Sequence, residues 1–138
     1  MKTIKPTPSY QIVLPDGVQE QVDGTVSSFW INGDPILLQT SSYVREGGEH
    51  LSASQRLKDR MLKQNAHWQV WNEQLCLTAG VDQAIGEFTG DDGVVWIHSY
   101  FVWPHLTVYA TVSGPGDTVR NRKNWALQSL RGVALNIQ

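Results

Sequence analysis

Between Gln83 and Ser113 the chain reads QAIGEFTGDDGVVWIHSYFVWPHLTVYATVS, and two turn signals cut this stretch into three apolar-rich runs. Gly90-Asp91-Asp92-Gly93 tolerates tight or left-handed backbone, and Trp103-Pro104-His105 sets a residue with fixed φ and no amide donor between two runs. The predicted strands are 83–89, 94–103 and 106–113, an antiparallel three-strand meander. With loops of even length, pairing runs outward from each turn. Thr89 then faces Val94, Glu87 faces Trp96 and Ile85 faces His98; beyond the second turn Val102 faces Thr107, Tyr100 faces Tyr109 and His98 faces Thr111. An odd-length loop in either turn breaks that register.

Alternation sorts the side chains by face. One face collects Ala84, Gly86, Phe88, Val95, Ile97, Ser99, Phe101, Trp103, Leu106, Val108, Ala110 and Val112, and its apolar character requires cover. On the other, aromatic bodies alternate with hydroxyls, one carboxylate and one imidazole. Glu87, Trp96, His98, Tyr100, Tyr109 and Thr111 are its candidate binding residues. Strand propensity alone also selects such residues, and a helix laid across this face would bury Trp96 and Tyr100 as ordinary packing.

At 138 residues the chain has the size of a single domain, taken as 1–138, with room for one substantial core. Thirteen acidic and eleven basic residues, spread along the chain for a net charge of −2, argue against a nucleic-acid or anionic-membrane partner. Cys76 is the only cysteine, which excludes an intrachain disulfide and a multi-cysteine zinc site. No apolar stretch approaches membrane-spanning length and the first residues lack an apolar leader core, so a cytoplasmic location is expected.

Upstream, strands are expected at 10–14, 25–31 and 36–44, with Asn32-Gly33-Asp34-Pro35 as a hairpin turn and Gly47-Gly48 as a break. The period changes over 52–65. Ser52 and Gln55 form a capping box behind Leu51, and Ala53, Leu57, Met61 and Leu62 make an apolar stripe opposite Arg56, Lys58, Asp59, Arg60 and Lys63. Residues 67–77 return to alternation as a further strand. A terminal amphipathic helix is predicted from Asp117-Thr118 to about Arg131, with Trp125 roughly 120° off its apolar arc. A tryptophan so placed is a candidate contact for a weak homodimer or another partner.

This order of elements, the Leu14-Pro15-Asp16-Gly17 turn, and the entry from Val112-Ser113-Gly114-Pro115-Gly116 into WALQSL (125–130) resemble the Mog1/PsbP-like superfamily, including its DcrB-like and type VI secretion accessory branch. The resemblance implies an α+β fold, an antiparallel sheet sandwiched between helices. The superfamily serves diverse roles, among them accessory chaperones, and shares no catalytic residues to carry over.

For acid/base chemistry the pattern offers one pair, His98 with Glu87 diagonal to it. His50, His67, His98 and His105 have no metal-ligand spacing, and no phosphate-cradling or nucleophile motif occurs, so neither a metal nor a cofactor is expected. Arg120, Arg122 and Lys123 in the first turns of the terminal helix are a candidate anion site. The expected function is a non-catalytic binding or adaptor domain that holds a peptide or protein partner on the aromatic sheet face. The alternatives are a small-molecule enzyme using His98 and Glu87, and a structural subunit of an oligomer.

Overall fold

A computed structural model describes residues 1–44, 51–64 and 66–136. Gly47-Gly48 and His50 lie outside the described residues. Among the described residues ten strands and three helices are formed: β1 (Lys2–Thr7), β2 (Tyr10–Leu14), β3 (Val18–Asp23), β4 (Val26–Ile31), β5 (Leu37–Val44), α1 (Ala53–Lys63), β6 (Gln69–Trp71), β7 (Asp82–Thr89), β8 (Val95–Val102), β9 (Leu106–Gly114), α2 (Gly116–Val119), α3 (Trp125–Leu130) and β10 (Ala134–Leu135). Two antiparallel sheets result, one of three strands in the order β1-β2-β10 and one of seven in the order β3-β4-β5-β9-β8-β7-β6. The architecture is an α+β sandwich. No helix among the described residues is long and apolar enough to cross a membrane.

The hairpin joining β4 to β5 follows its turn residues: Gly33 takes φ 85°, the Asp34 amide donates to Ile31, and the Asp34 carboxylate accepts from the Ile36 amide. From β8 to β9 the expected register is present, with Val102 opposite Thr107, Tyr100 opposite Tyr109 and His98 opposite Thr111. Between β7 and β8 it is not. Thr89 faces Val95, Glu87 faces Ile97 and Ile85 faces Ser99, one residue away from the even-loop expectation.

Gly93 is the cause. The Gly93 amide donates to Gly90, closing a turn, Gly93 itself sits at φ 80°, and the Gly90 amide donates to the Val94 carbonyl at 2.8 Å, so three residues, an odd number, lie between Gly90 and Val94. A shift of one residue turns every β7 side chain to the opposite face. Ile85 and Glu87 therefore lie on the core side, while Ala84, Gly86 and Phe88 join His98 and Tyr100.

The main core lies between the seven-stranded sheet and a layer made by β2, β10 and α3. Ile97, Phe101, Val108 and Val112 are all fully buried there, against Tyr10, Ile12, Leu127 and Leu130. The Tyr10 hydroxyl meets the Thr40 hydroxyl at 2.7 Å and ties β2 to β5 across this core.

The terminal segment forms two short helices rather than one. Asn124 interrupts it: its amide nitrogen donates to the carbonyls of Val119 and Asn121, and its oxygen accepts from the Leu127 amide as the cap of α3. The helical phase restarts at Trp125, so an arc counted from residue 117 does not apply. Trp125 is half-buried and packs against the main core of its own chain, which removes the outward tryptophan on which the homodimer rested.

Candidate functional site

The second face of the large sheet carries α1. Ser52 caps the helix as expected, its hydroxyl accepting from the Gln55 amide at 3.1 Å, while the Gln55 side chain turns along the helix to Asp59 instead of closing the box. A second cap comes from the sheet: Asp82, first residue of β7, accepts from the Ala53 amide at 2.9 Å. Ala53 and Leu57 are buried with Tyr100, Val102 and Tyr109, and Met61, Trp68 and Ala84 pack around them. Gly86 permits this approach, because a Cβ there would stand 3.2 Å from Trp68 and 3.3 Å from Leu57.

Leu62, expected in the apolar stripe, is 86% exposed, and Arg60, expected opposite, lies over the sheet. At 100° per residue Arg60 falls about 20° from Ala53 and Leu62 about 180° from it. The wheel therefore contained both facts, and residue type alone hid them. Arg60 Nε donates to the Tyr100 hydroxyl at 3.1 Å, and its guanidinium carbon lies 4.7 Å from the centre of the Tyr109 ring. The two tyrosine rings are 4.7 Å apart.

Behind them the Tyr109 hydroxyl is hydrogen-bonded to His98 Nδ1. Burial pushes the Tyr109 phenol up, so it keeps its proton. Burial first, and then the nearby Arg60 charge, hold His98 down at about 4, so the imidazole is neutral near pH 7. Among the described residues the phenol has no other acceptor, so it donates to Nδ1 and the ring proton resides on Nε2. Nε2 is buried without a hydrogen-bond partner among the described residues. The imidazole meets Trp68 edge to face at 5.0 Å and lies 5.4 Å from Phe88 and 6.3 Å from Trp96. Phe88 and Trp68, which the sequence reading did not place at the site, thus line it once β7 is turned over.

Glu87 is absent from this cluster. On the core side it is 6% exposed and accepts from Trp71 Nε1 and from Arg120 Nε, both at 2.8 Å. The expected pairing of Glu87 with His98 is therefore not made, and His98, neutral and enclosed, has no carboxylate partner among the described residues. The anion site expected at Arg120, Arg122 and Lys123 is not made either. Arg122 forks onto Glu73 at 2.7 and 2.9 Å with its guanidinium 3.5 Å from the Trp71 ring centre, Arg120 is held by Glu87, and α2 ends before all three. Carboxylates distant in sequence consume the charge of the two arginines.

Helix α1 packs on β7 and β8 and reaches β9 at Tyr109. Trp96 and Thr111 are half-buried, and Tyr43 is 52% exposed at the far side of the helix. Two recesses open beside this boundary. One, of about 420 Å³, lies at the β7–β8 turn against Phe88, Trp96 and His98. The other, of about 210 Å³, runs along β5 and β9 between Gln39, Ser41, Arg60, Tyr109 and Thr111. Neither lining includes a serine or cysteine held by a base, and among the described residues no three His, Cys, Asp or Glu side chains converge as metal ligands.

Fold and face together define an α+β sandwich with one sheet surface partly roofed by a helix. No family model matches the chain, and no curated protein matches it. A solved structure from Bacteroides thetaiotaomicron VPI-5482 is similar, with a TM-score of 0.59 and 10% identity over 94% of this chain and 46% of that one. This chain spans less than half the length of that structure, and the likeness is one of fold alone.

Proposed function

We propose that the chain is a non-catalytic binding domain that holds a peptide or protein partner on the unroofed part of its aromatic sheet face, beside α1. The supporting observation is the edge of the roof: α1 stops short of Trp96, Thr111 and the β5–β9 groove, leaving aromatic and hydroxyl groups on a rigid strand floor. Tyr100 and Tyr109, under the helix, fix the floor and α1 rather than touch the partner. His98 supports Tyr109 from behind. The Mog1/PsbP-like resemblance and a cytoplasmic setting belong to the same proposal, supported by the element order and by a single, buried, free cysteine.

A random-peptide display selection against the intact chain tests this. Binding of enriched peptides is followed by titration calorimetry with wild type, Trp96→Ala and Thr111→Arg. Each substitution should weaken binding by about tenfold or more, the usual cost of losing a central aromatic or blocking a groove, with the circular dichroism spectrum unchanged. Peptides that bind both variants as tightly as wild type would place the partner elsewhere and end this reading.

A further inference from the structure

A third recess, of about 220 Å³, lies along α1 next to the β5–β9 groove, and its chemistry differs from that of the aromatic face. Arg56, Arg60 and Lys63 line it together with the Tyr100 side chain, and among the described residues the only carboxylate in the lining is Asp59. The spacing explains the convergence, since residues four and three positions apart project from one side of a helix. Among the described residues none of these three cations forms an ion pair, whereas Arg120 and Arg122 are both neutralised. Asp59 is itself engaged, accepting from the Gln55 side chain at 2.9 Å.

Arg60 is already immobilised. Its Nε is spent on Tyr100 and its guanidinium rests on the Tyr109 ring, so the terminal nitrogens are held in a half-buried position with little rotamer freedom left to lose. Arg56 Nε is enclosed and has no hydrogen-bond partner among the described residues. A preset guanidinium, a second guanidinium one turn away, and an exposed ammonium suit an anion that accepts from several directions at once.

We propose that this recess is a binding site for a tetrahedral oxyanion of the phosphate type, with Arg60 as its fixed anchor and Arg56 and Lys63 completing the shell. Carboxylate is the poorer match, because its acceptors lie in one plane while the donors here come from two helix turns. The recess borders the β5–β9 groove through Tyr43 and Arg60, but phosphate binding is read without the partner proposed for that groove.

Inorganic phosphate, acetate and chloride are compared at a matched ionic strength of about 150 mM by thermal denaturation and by one-bond ¹H–¹⁵N shifts of the intact chain. Phosphate should raise the melting temperature and shift α1 amides where chloride does not. In the Arg56→Gln/Lys63→Gln variant, phosphate affinity should fall by about tenfold or more, while the melting temperature in chloride stays near that of wild type. Arg60→Lys, which keeps the charge but not the planar fork, should also weaken phosphate. Phosphoserine amide separates the sources: tighter binding than inorganic phosphate assigns the group to a modified partner, weaker binding assigns it to the free ion. Acetate as effective as phosphate, no response beyond chloride, or an undiminished response in the double variant would each overturn the site.

Discussion

His98 is enclosed by Trp68, Phe88 and Tyr109 and faces the charge of Arg60, so taking up a proton there is opposed from several sides. Its folded value of about 4 lies below the ordinary histidine value of 6.5, and the stability consequence has a definite sign. Between pH 6.5 and about 4 the unfolded chain binds a proton that the folded ring refuses, so this contribution is complete above pH 6.5, falls as pH drops through the window, and levels off below. Its full size is on the order of 3 kcal/mol. Unfolding free energies of wild type and His98→Gln across that range should diverge, the wild type losing stability more steeply on acidification; parallel curves would contradict the enclosed, neutral ring. Which residues share the site was only partly legible at this scale. Trp96, His98, Tyr100 and Tyr109 follow from simple alternation along two strands. Arg60 and Phe88 did not, because one required trusting helical phase over side-chain charge and the other hung on the parity of a loop.

Among the elements, the β7–β8 turn decides most. Gly93 holds a backbone conformation that residues with a Cβ rarely adopt, and nothing stands within 4 Å of the place a Cβ would occupy. The strain of Gly93→Ala is therefore conformational, about 1 to 2 kcal/mol, and should appear as a lowered denaturation midpoint with an unchanged slope. If the turn were the even-length one, the same substitution would cost little. Strands β2, β4, β5, β8 and β9 were readable because each alternates and ends at a Gly, Pro or Asp turn. Strand β3 was not: from Gln19 to Asp23 every residue is exposed, and a polar edge strand shows no alternation to detect. β1, with Pro6 in it, and the two-residue β10 are likewise silent until β2 supplies their partner.

Across the whole molecule two apolar clusters of unequal size share one sheet, the large one on the α3 side and the small one beneath α1. Phe101 lies at 0% exposure in the large cluster and pairs with Gln83 and Val108. Phe101→Ala should cost about 3 to 5 kcal/mol, read as a lower denaturation midpoint for the entire protein and not for α1 alone. A midpoint equal to wild type would place Phe101 outside the core. The three-stranded sheet has a separate implication, for synthesis. Residues 10 and 11 pair with residues 134 and 135, and Asn136 fastens this closure with bonds to the carbonyls of Pro8 and Tyr10. A ribosome that has not yet released residue 135 holds a chain in which β2 lacks one neighbour and the layer over the main core is unsealed. Closure therefore waits until residues 134 and 135 have left the ribosome, and until then the nascent chain presents an open strand edge.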